Sequence, residues 1–196
     1  MDWSCVLQIV GATLGLIYLW LEYKANIWLW AVSAIMPMVH GTLYLTEGVY
    51  ADAAMQLYYV LAAVYGLAVW RRKPKSKSEG KTSVRIQHTP VAWVLPLVSV
   101  YGVLHVAIYF LLTELTDSTV PLFDAMSTAL SVVAMWMLSR KLVEQWLVWL
   151  VVDMISVGLY LHKGIPITAG LYLVYCILAV AGYMRWRRVC REEVMS

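Results

Sequence analysis

The sequence predicts an all-α integral membrane protein of seven transmembrane helices, built as a parallel 3+1+3 repeat. Three observations predict it. Apolar runs recur along almost all of the 196 residues, which are 62% hydrophobic with a mean hydropathy of +0.70. Shifting the chain by 116 residues lays it on itself without gaps. Lysine and arginine collect at alternate ends of the runs, as in chains threaded through a bilayer.

A spanning helix needs about 20 apolar residues. Runs of that kind lie at 3–21, 27–46, 50–70, 90–113, 120–139, 145–162 and 166–186. The start, Met1-Asp2-Trp3, lacks a basic region and a small-residue cleavage site, so the first run is expected to be a permanent helix. In the second run Pro37 removes a helix hydrogen bond and predicts a kink, with a hinge as the functional alternative; Pro96 does the same in the fourth. Asp52 and Asp124 stand near outer helix ends, where a carboxylate can reach water; Asp52 opens the third run and suits its dipole, and attraction of cations to the mouth is the alternative. The seventh contains no lysine, which excludes a retinal Schiff base. The 10 tryptophans and 13 tyrosines often stand near run ends, as in interfacial belts.

The loop after the third run holds Arg71, Arg72, Lys73, Lys75, Lys77, Lys81 and Arg85 against Glu79 alone. With that loop in the cytoplasm, alternation places fourteen of the fifteen Lys and Arg inside and only Lys163 outside. The positive-inside bias therefore predicts an external amino terminus and a cytoplasmic carboxyl terminus. The basic stretch reads as a topology signal, and no nucleic-acid partner is expected.

At the constant offset, Trp30 meets Trp146, Tyr44 meets Tyr160, Tyr59 meets Tyr175, Gly66 meets Gly182, and Trp70-Arg71-Arg72 meets Trp186-Arg187-Arg188. Rare residues matching in step point to duplication. The expected division is a first three-helix repeat over 1–71, a basic cytoplasmic loop plus linker helix over 72–115, and a second repeat with its tail over 116–196. One crossing between two three-helix units restores their orientation, so the repeats run parallel. Such repeats commonly hold a substrate near mid-membrane, at their interface.

The candidate site centres on the sixth run. Trp146, Trp149, Asp153, Ser156 and Tyr160 are spaced by three and four, so they share one helix face among Leu, Val, Met and Ile. A carboxylate that deep is costly and marks a pathway by default. Asp153 reads as counter-ion or hydrogen-bond acceptor for a polar, cationic substrate, or else as a protonated or internally paired group that ties the bundle. Trp149 and Trp146 read as a stacking platform, or Trp146 as an interfacial anchor. The corresponding face of the second run is Trp30, Ser33, Pro37, His40 and Tyr44. Gln56 and Tyr59 in the third run and Tyr172 and Tyr175 in the seventh could meet substrate or bond neighbouring helices. His40 and His105 read as helix–helix hydrogen-bonding groups or a proton relay, with no acidic chain connecting them in sequence.

Other chemistry is set aside. Cys5, Cys176 and Cys190 make no disulfide or zinc framework and read as small packing residues. There is no His-Glu-x-x-His, Gly-x-Ser-x-Gly or phosphate-cradling loop, so neither an enzyme nor an ATP-driven motor is expected, and no cofactor or metal.

The spacing Trp146-x-x-Trp149-x-x-x-Asp153-x-x-x-x-x-x-Tyr160 resembles the signature of the PnuC family of bacterial vitamin transporters. So do Trp20-Leu-Glu22-Tyr-Lys24-Ala-Asn26-Ile-Trp28, Tyr50-Ala-Asp52, Gln56-x-x-Tyr59 and Gly66-x-x-x-Trp70, and the resemblance covers essentially the whole chain. It implies a SWEET-like arrangement, a homotrimer or other homo-oligomer, and facilitated diffusion of nicotinamide riboside or thiamine across the bacterial inner membrane. It also implies trapping of the cargo by a cytosolic vitamin kinase. Asp153 stands where the family's nicotinamide riboside carriers typically have Asn. A carboxylate beside indoles suits either flat cation and argues against the neutral flavin. The expected ligand site is Trp146, Trp149, Asp153, Tyr160, Gln56, Tyr59, Tyr172, His40 and Tyr44, with Pro37 as hinge. The rival reading is a membrane receptor or scaffold that binds without transporting.

Overall fold

The structure, a computed structural model, describes residues 3–46, 50–71, 85–115, 120–162, 164 and 166–195, with side chains except at 3–12, 36, 39–46, 50–55, 167 and 193–195. The described residues form seven helices: α1 (Trp3–Tyr23), α2 (Leu29–Thr46), α3 (Tyr50–Arg71), α4 (Val91–Leu115), α5 (Pro121–Ser139), α6 (Gln145–His162) and α7 (Pro166–Met195). The fold is all-helical, as the hydropathy pattern predicts. Among the described residues, α4, α5, α6 and the Thr168–Glu192 part of α7 are long and apolar enough to cross a membrane. The helices α1, α2 and α3 are 21, 18 and 22 residues long. At about 1.5 Å per residue even the shortest reaches about 27 Å.

Helix ends follow local chemistry. Pro121 occupies the first turn of α5, where its missing N–H has no partner to lose, and Asp124 sits in that same turn beside the positive dipole end. The far end of α5 closes in a Schellman motif: Leu142 N–H reaches back to Met137 O at 3.1 Å and Lys141 N–H to Leu138 O at 2.9 Å. Lys141 takes the left-handed conformation this needs, at φ 53°. The end of α1 is built alike, with Asn26 N–H on Leu21 O and Ala25 N–H on Glu22 O, both at 2.8 Å, and Ala25 at φ 51°. A cation stands over an indole at each of these ends. Lys24 Nζ lies 4.3 Å from the Trp20 ring and the Arg140 guanidinium 5.4 Å from that of Trp136.

The helix α7 runs to Met195, beyond the apolar run that ends at Tyr183 and Trp186. No Gly or Pro follows Trp186 to stop it, and Arg188 and Glu192 stand one turn apart on its polar extension.

The chain divides into two compact units, Met1–Arg85 and Ile86–Ser196. In the first, α2 packs along α3 and α1 along α2. Trp30 is 1% exposed, wedged against Gly66 and meeting Trp70 edge-on at 5.5 Å and 89°. In the second, α4 packs on α5, α5 on α6 and α6 on α7. The unit boundary falls inside the 72–115 stretch expected as loop and linker, and α4 lies with the second bundle.

Val133, Met137 and Leu142 form a core cluster, with Trp93, Leu97 and Tyr101 of α4 packed against it. The small buried residues Ala125, Ala129 and Ala134 let the neighbours of α5 approach closely. Ser127, Thr128 and Ser131 return their hydroxyls to carbonyls of their own helix, which satisfies them in an apolar segment. The other side of α4 stays exposed at Val91, Leu95 and Val103, as a face made for lipid or another apolar surface would be.

Candidate functional site

The seam between α6 and α7 carries the polar face predicted on the sixth run. One wedge closes it at one end. Trp146, 1% exposed, lies against Gly182, where a Cβ would come within 2.6 Å of the indole. Trp186 meets the same ring edge-on at 5.7 Å and 87°. This contact holds the helices close enough for the residues beyond it to meet.

Two turns further along α6 stands Asp153, 7% exposed. It faces Tyr172, Tyr175 and Cys176 of α7 electrostatically and is in no ion pair among the described residues. Ser156, one turn on, donates its hydroxyl to Val152 O at 3.0 Å, so its only donor stays within the helix. Tyr160 and Tyr172 stack at 5.2 Å and 15° and share a side-chain hydrogen bond. Tyr175 meets Tyr172 edge-on at 5.6 Å and 72°. The Nε1 atoms of Trp146 and Trp149 are buried and lack hydrogen-bond partners among the described residues. A buried indole N–H normally finds an acceptor. The arrangement is thus a carboxylate facing two phenols and a thiol, with an unsatisfied indole donor one turn away.

The structure therefore brings Trp149, Asp153, Tyr160 and Tyr172 along one seam, with Trp146 closing its end as a packed wedge. Gln56 and Tyr59 are half-buried in the first unit, where Tyr59 meets Tyr58 edge-on at 5.4 Å, and Pro37 lies inside α2, which is one helix from Leu29 to Thr46. The side chains of His40 and Tyr44 lie outside the described residues. Cys176, read from sequence as a packing residue, proves a neighbour of Asp153. It follows Tyr172 by four residues, so the shared helix face was a usable signal. A separate cavity of about 400 Å³ lies between α5 and α6, lined by Phe123, Met154, Gly158, Leu159 and His162. Its lining shares no residue with the polar seam.

Apolar helices long enough to cross a membrane, with a buried carboxylate in no ion pair among the described residues, point to a multi-pass membrane protein, and the relatives it matches are transporters. The chain belongs to the nicotinamide mononucleotide transporter family, whose match spans residues 5–188. It is 25% identical over 209 residues to the nicotinamide riboside transporter PnuC of Escherichia coli, covering 95% of this chain and 87% of that one. It is 30% identical over 185 residues to the riboflavin/roseoflavin transporter RibM of Streptomyces davaonensis, covering 94% and 84%. Its fold matches a crystal structure of the vitamin B3 transporter PnuC with a TM-score of 0.70, at 22% identity over 93% of this chain and 81% of that one. The chain is a vitamin-family transporter and not an enzyme.

Proposed function

We propose that this protein is a uniporter that carries nicotinamide riboside across the bacterial inner membrane down its gradient. The observation that carries the reading is Asp153, a buried carboxylate in no ion pair among the described residues and walled by Tyr172 and Tyr175. A lone charge in an apolar helix costs several kcal/mol unless a partner offsets it, and a cationic pyridinium is such a partner. In this reading Trp149 stacks on the ring, an interaction of about 0.5–2 kcal/mol. Tyr160 and Tyr172 wall the ligand, and Gln56, Tyr59, His40 and Tyr44 are proposed as further ligand contacts. The packing of Trp146 supports a structural part for it.

The matched Schellman ends, cation–indole pairs and Trp–Gly wedges at an offset of 116 residues support a parallel duplication. Rocking of the two repeats, with Pro37 flexing, would expose the site to each side in turn. In this reading the amino terminus lies outside, the assembly is a homotrimer or other homo-oligomer, and a cytosolic kinase traps the cargo as its phosphate. Thiamine, another flat cation, fits the same scheme.

Riboflavin is a second reading, favoured by the 30% identity to RibM. A neutral flavin gains little from the carboxylate, so Asp153→Asn separates the two: it weakens binding of a cation and spares that of a flavin. Reconstituted protein should equilibrate labelled nicotinamide riboside across liposomes without ATP or an imposed ion gradient. Asp153→Ala should abolish binding while leaving folded protein in detergent. Undiminished binding by that variant would remove the assigned role, and binding without flux would identify a receptor.

A further inference from the structure

Residues 86–90, the lead-in to α4, lie along the turn between α5 and α6. Gln87 pairs there with Leu142 in an isolated parallel bridge. Its N–H donates to Lys141 O at 3.1 Å, and its carbonyl accepts from Val143 N–H at 2.9 Å. The Glu144 carboxylate then takes three more bonds. His88 Nδ1 lies 2.6 Å from Oε1, while the N–H and the hydroxyl of Thr89 each donate to Oε2 at 2.7 Å.

Glu144 is the residue from which α6 starts: its carbonyl accepts from the N–H groups of Leu147 and Val148 at 3.0 and 3.3 Å. An acidic side chain at that position commonly turns back onto the helix's own N–H groups. This one is committed to residues 55 and 56 positions earlier in the chain. The turn 116 residues before it is different. Trp28 occupies the equivalent place, 67% exposed, and its N–H is capped locally by Asn26 Oδ1 at 3.0 Å.

We propose that His88, Thr89 and Glu144 form a clamp that fixes the pose of α6, making Glu144 a positioning residue for the Asp153 face. The proposal rests on the transport site described above. At about 1.5 Å per residue, Trp149 stands about 7 Å and Asp153 about 13 Å along the axis from Glu144. Pivoting the helix by about 5° at this end moves the level of Asp153 by about 1 Å, beyond the roughly 0.5 Å within which an organised site must be held. Trp146 against Gly182 restrains the first turn of α6 on the α7 side. The clamp restrains it from the α4 side.

Two readouts test this on the full-length protein. In ligand-free protein, Glu144→Ala and Thr89→Ala should each speed amide hydrogen exchange at residues 145–150 by about fivefold or more, leaving 178–186 in α7 unchanged. In liposomes, Glu144→Ala should raise the half-saturating concentration of nicotinamide riboside about tenfold, with Glu144→Gln, which keeps one acceptor oxygen, falling between it and the unaltered protein. Adding Thr89→Ala to Glu144→Ala should cost little more, because the hydroxyl bond it removes is already lost with the carboxylate. If Glu144→Ala does not fold, Thr89→Ala decides both readouts. Unchanged exchange at 145–150 overturns the clamp, and faster exchange with unchanged half-saturation overturns the positioning role. Absence of uptake by the unaltered protein counts against the transport reading alone, with the exchange result still deciding the clamp.

Discussion

The indole of Trp146 rests on Gly182 so closely that a methyl group at that glycine would stand 2.6 Å from the ring. Either α7 or the indole must then move. Overpacking of this kind costs about 1–3 kcal/mol. Gly182→Ala should lower the thermal midpoint in detergent, and adding Trp146→Phe, which shrinks the ring, should restore part of it. An unshifted midpoint in the single variant would mean that the seam is looser than its geometry indicates.

Trp149 offers a ring and an N–H, and these can be separated. Its Nε1 is buried without a partner among the described residues. Trp149→Phe keeps an aromatic face and removes the donor, whereas Trp149→Ala removes both. Calorimetry with nicotinamide riboside should find the Phe variant weakened by about 1 kcal/mol or less, and the Ala variant by about 2 kcal/mol, roughly 30-fold. Equal losses in the two would assign the interaction to the N–H instead of the ring.

Lys141 holds a left-handed backbone at φ 53°. For an L-residue that conformation costs about 1–2 kcal/mol, and β-branching makes it worse. Lys141→Gly should therefore leave stability unchanged or raise it by up to about 1 kcal/mol. Lys141→Val should lower it. Thermal melts of the pair check the order, and a Val variant at least as stable as Gly would contradict the assigned turn.

Burial raises the Glu144 carboxyl, but hydrogen bonds from His88 and from the side chain and N–H of Thr89 bring it below its ordinary 4.5. A carboxylate lowered in the folded state stabilises fully above its unfolded value. That contribution is lost as pH falls from 4.5 through the lowered folded value. The unaltered protein should show this loss in acid melts, and Glu144→Gln should show a flatter acid limb. Identical limbs would indicate that the clamp does not depend on the charge.

Hydropathy located the helices because a bilayer admits only long, internally bonded apolar segments, and that demand is written locally in runs such as 121–139. The α6 face was legible for a similar reason: Asp153 is conspicuous among Leu and Val, and helical spacing assigns it neighbours. The end of α7 was less so, since beyond Trp186 the helix is held by propensity and not by the demand of lipid. The clamp could not be read at all. Its partners are 55 and 56 residues apart, in turn segments with no periodicity, and nothing in His88-Thr89 points toward Glu144. The packing of Trp146 was also hidden, because an indole near a helix end looks the same whether it anchors at an interface or fills a seam.

Ala25 and Lys141 share an unfavoured backbone but have no chemistry in common: one carries a methyl group, the other a long cation. At each corner the bend between adjoining helices is thus set by main-chain geometry and not by the chemistry of its side chain. For anyone building variants, a substitution at either corner is therefore to be judged first by whether it tolerates a positive φ, glycine being the freest choice.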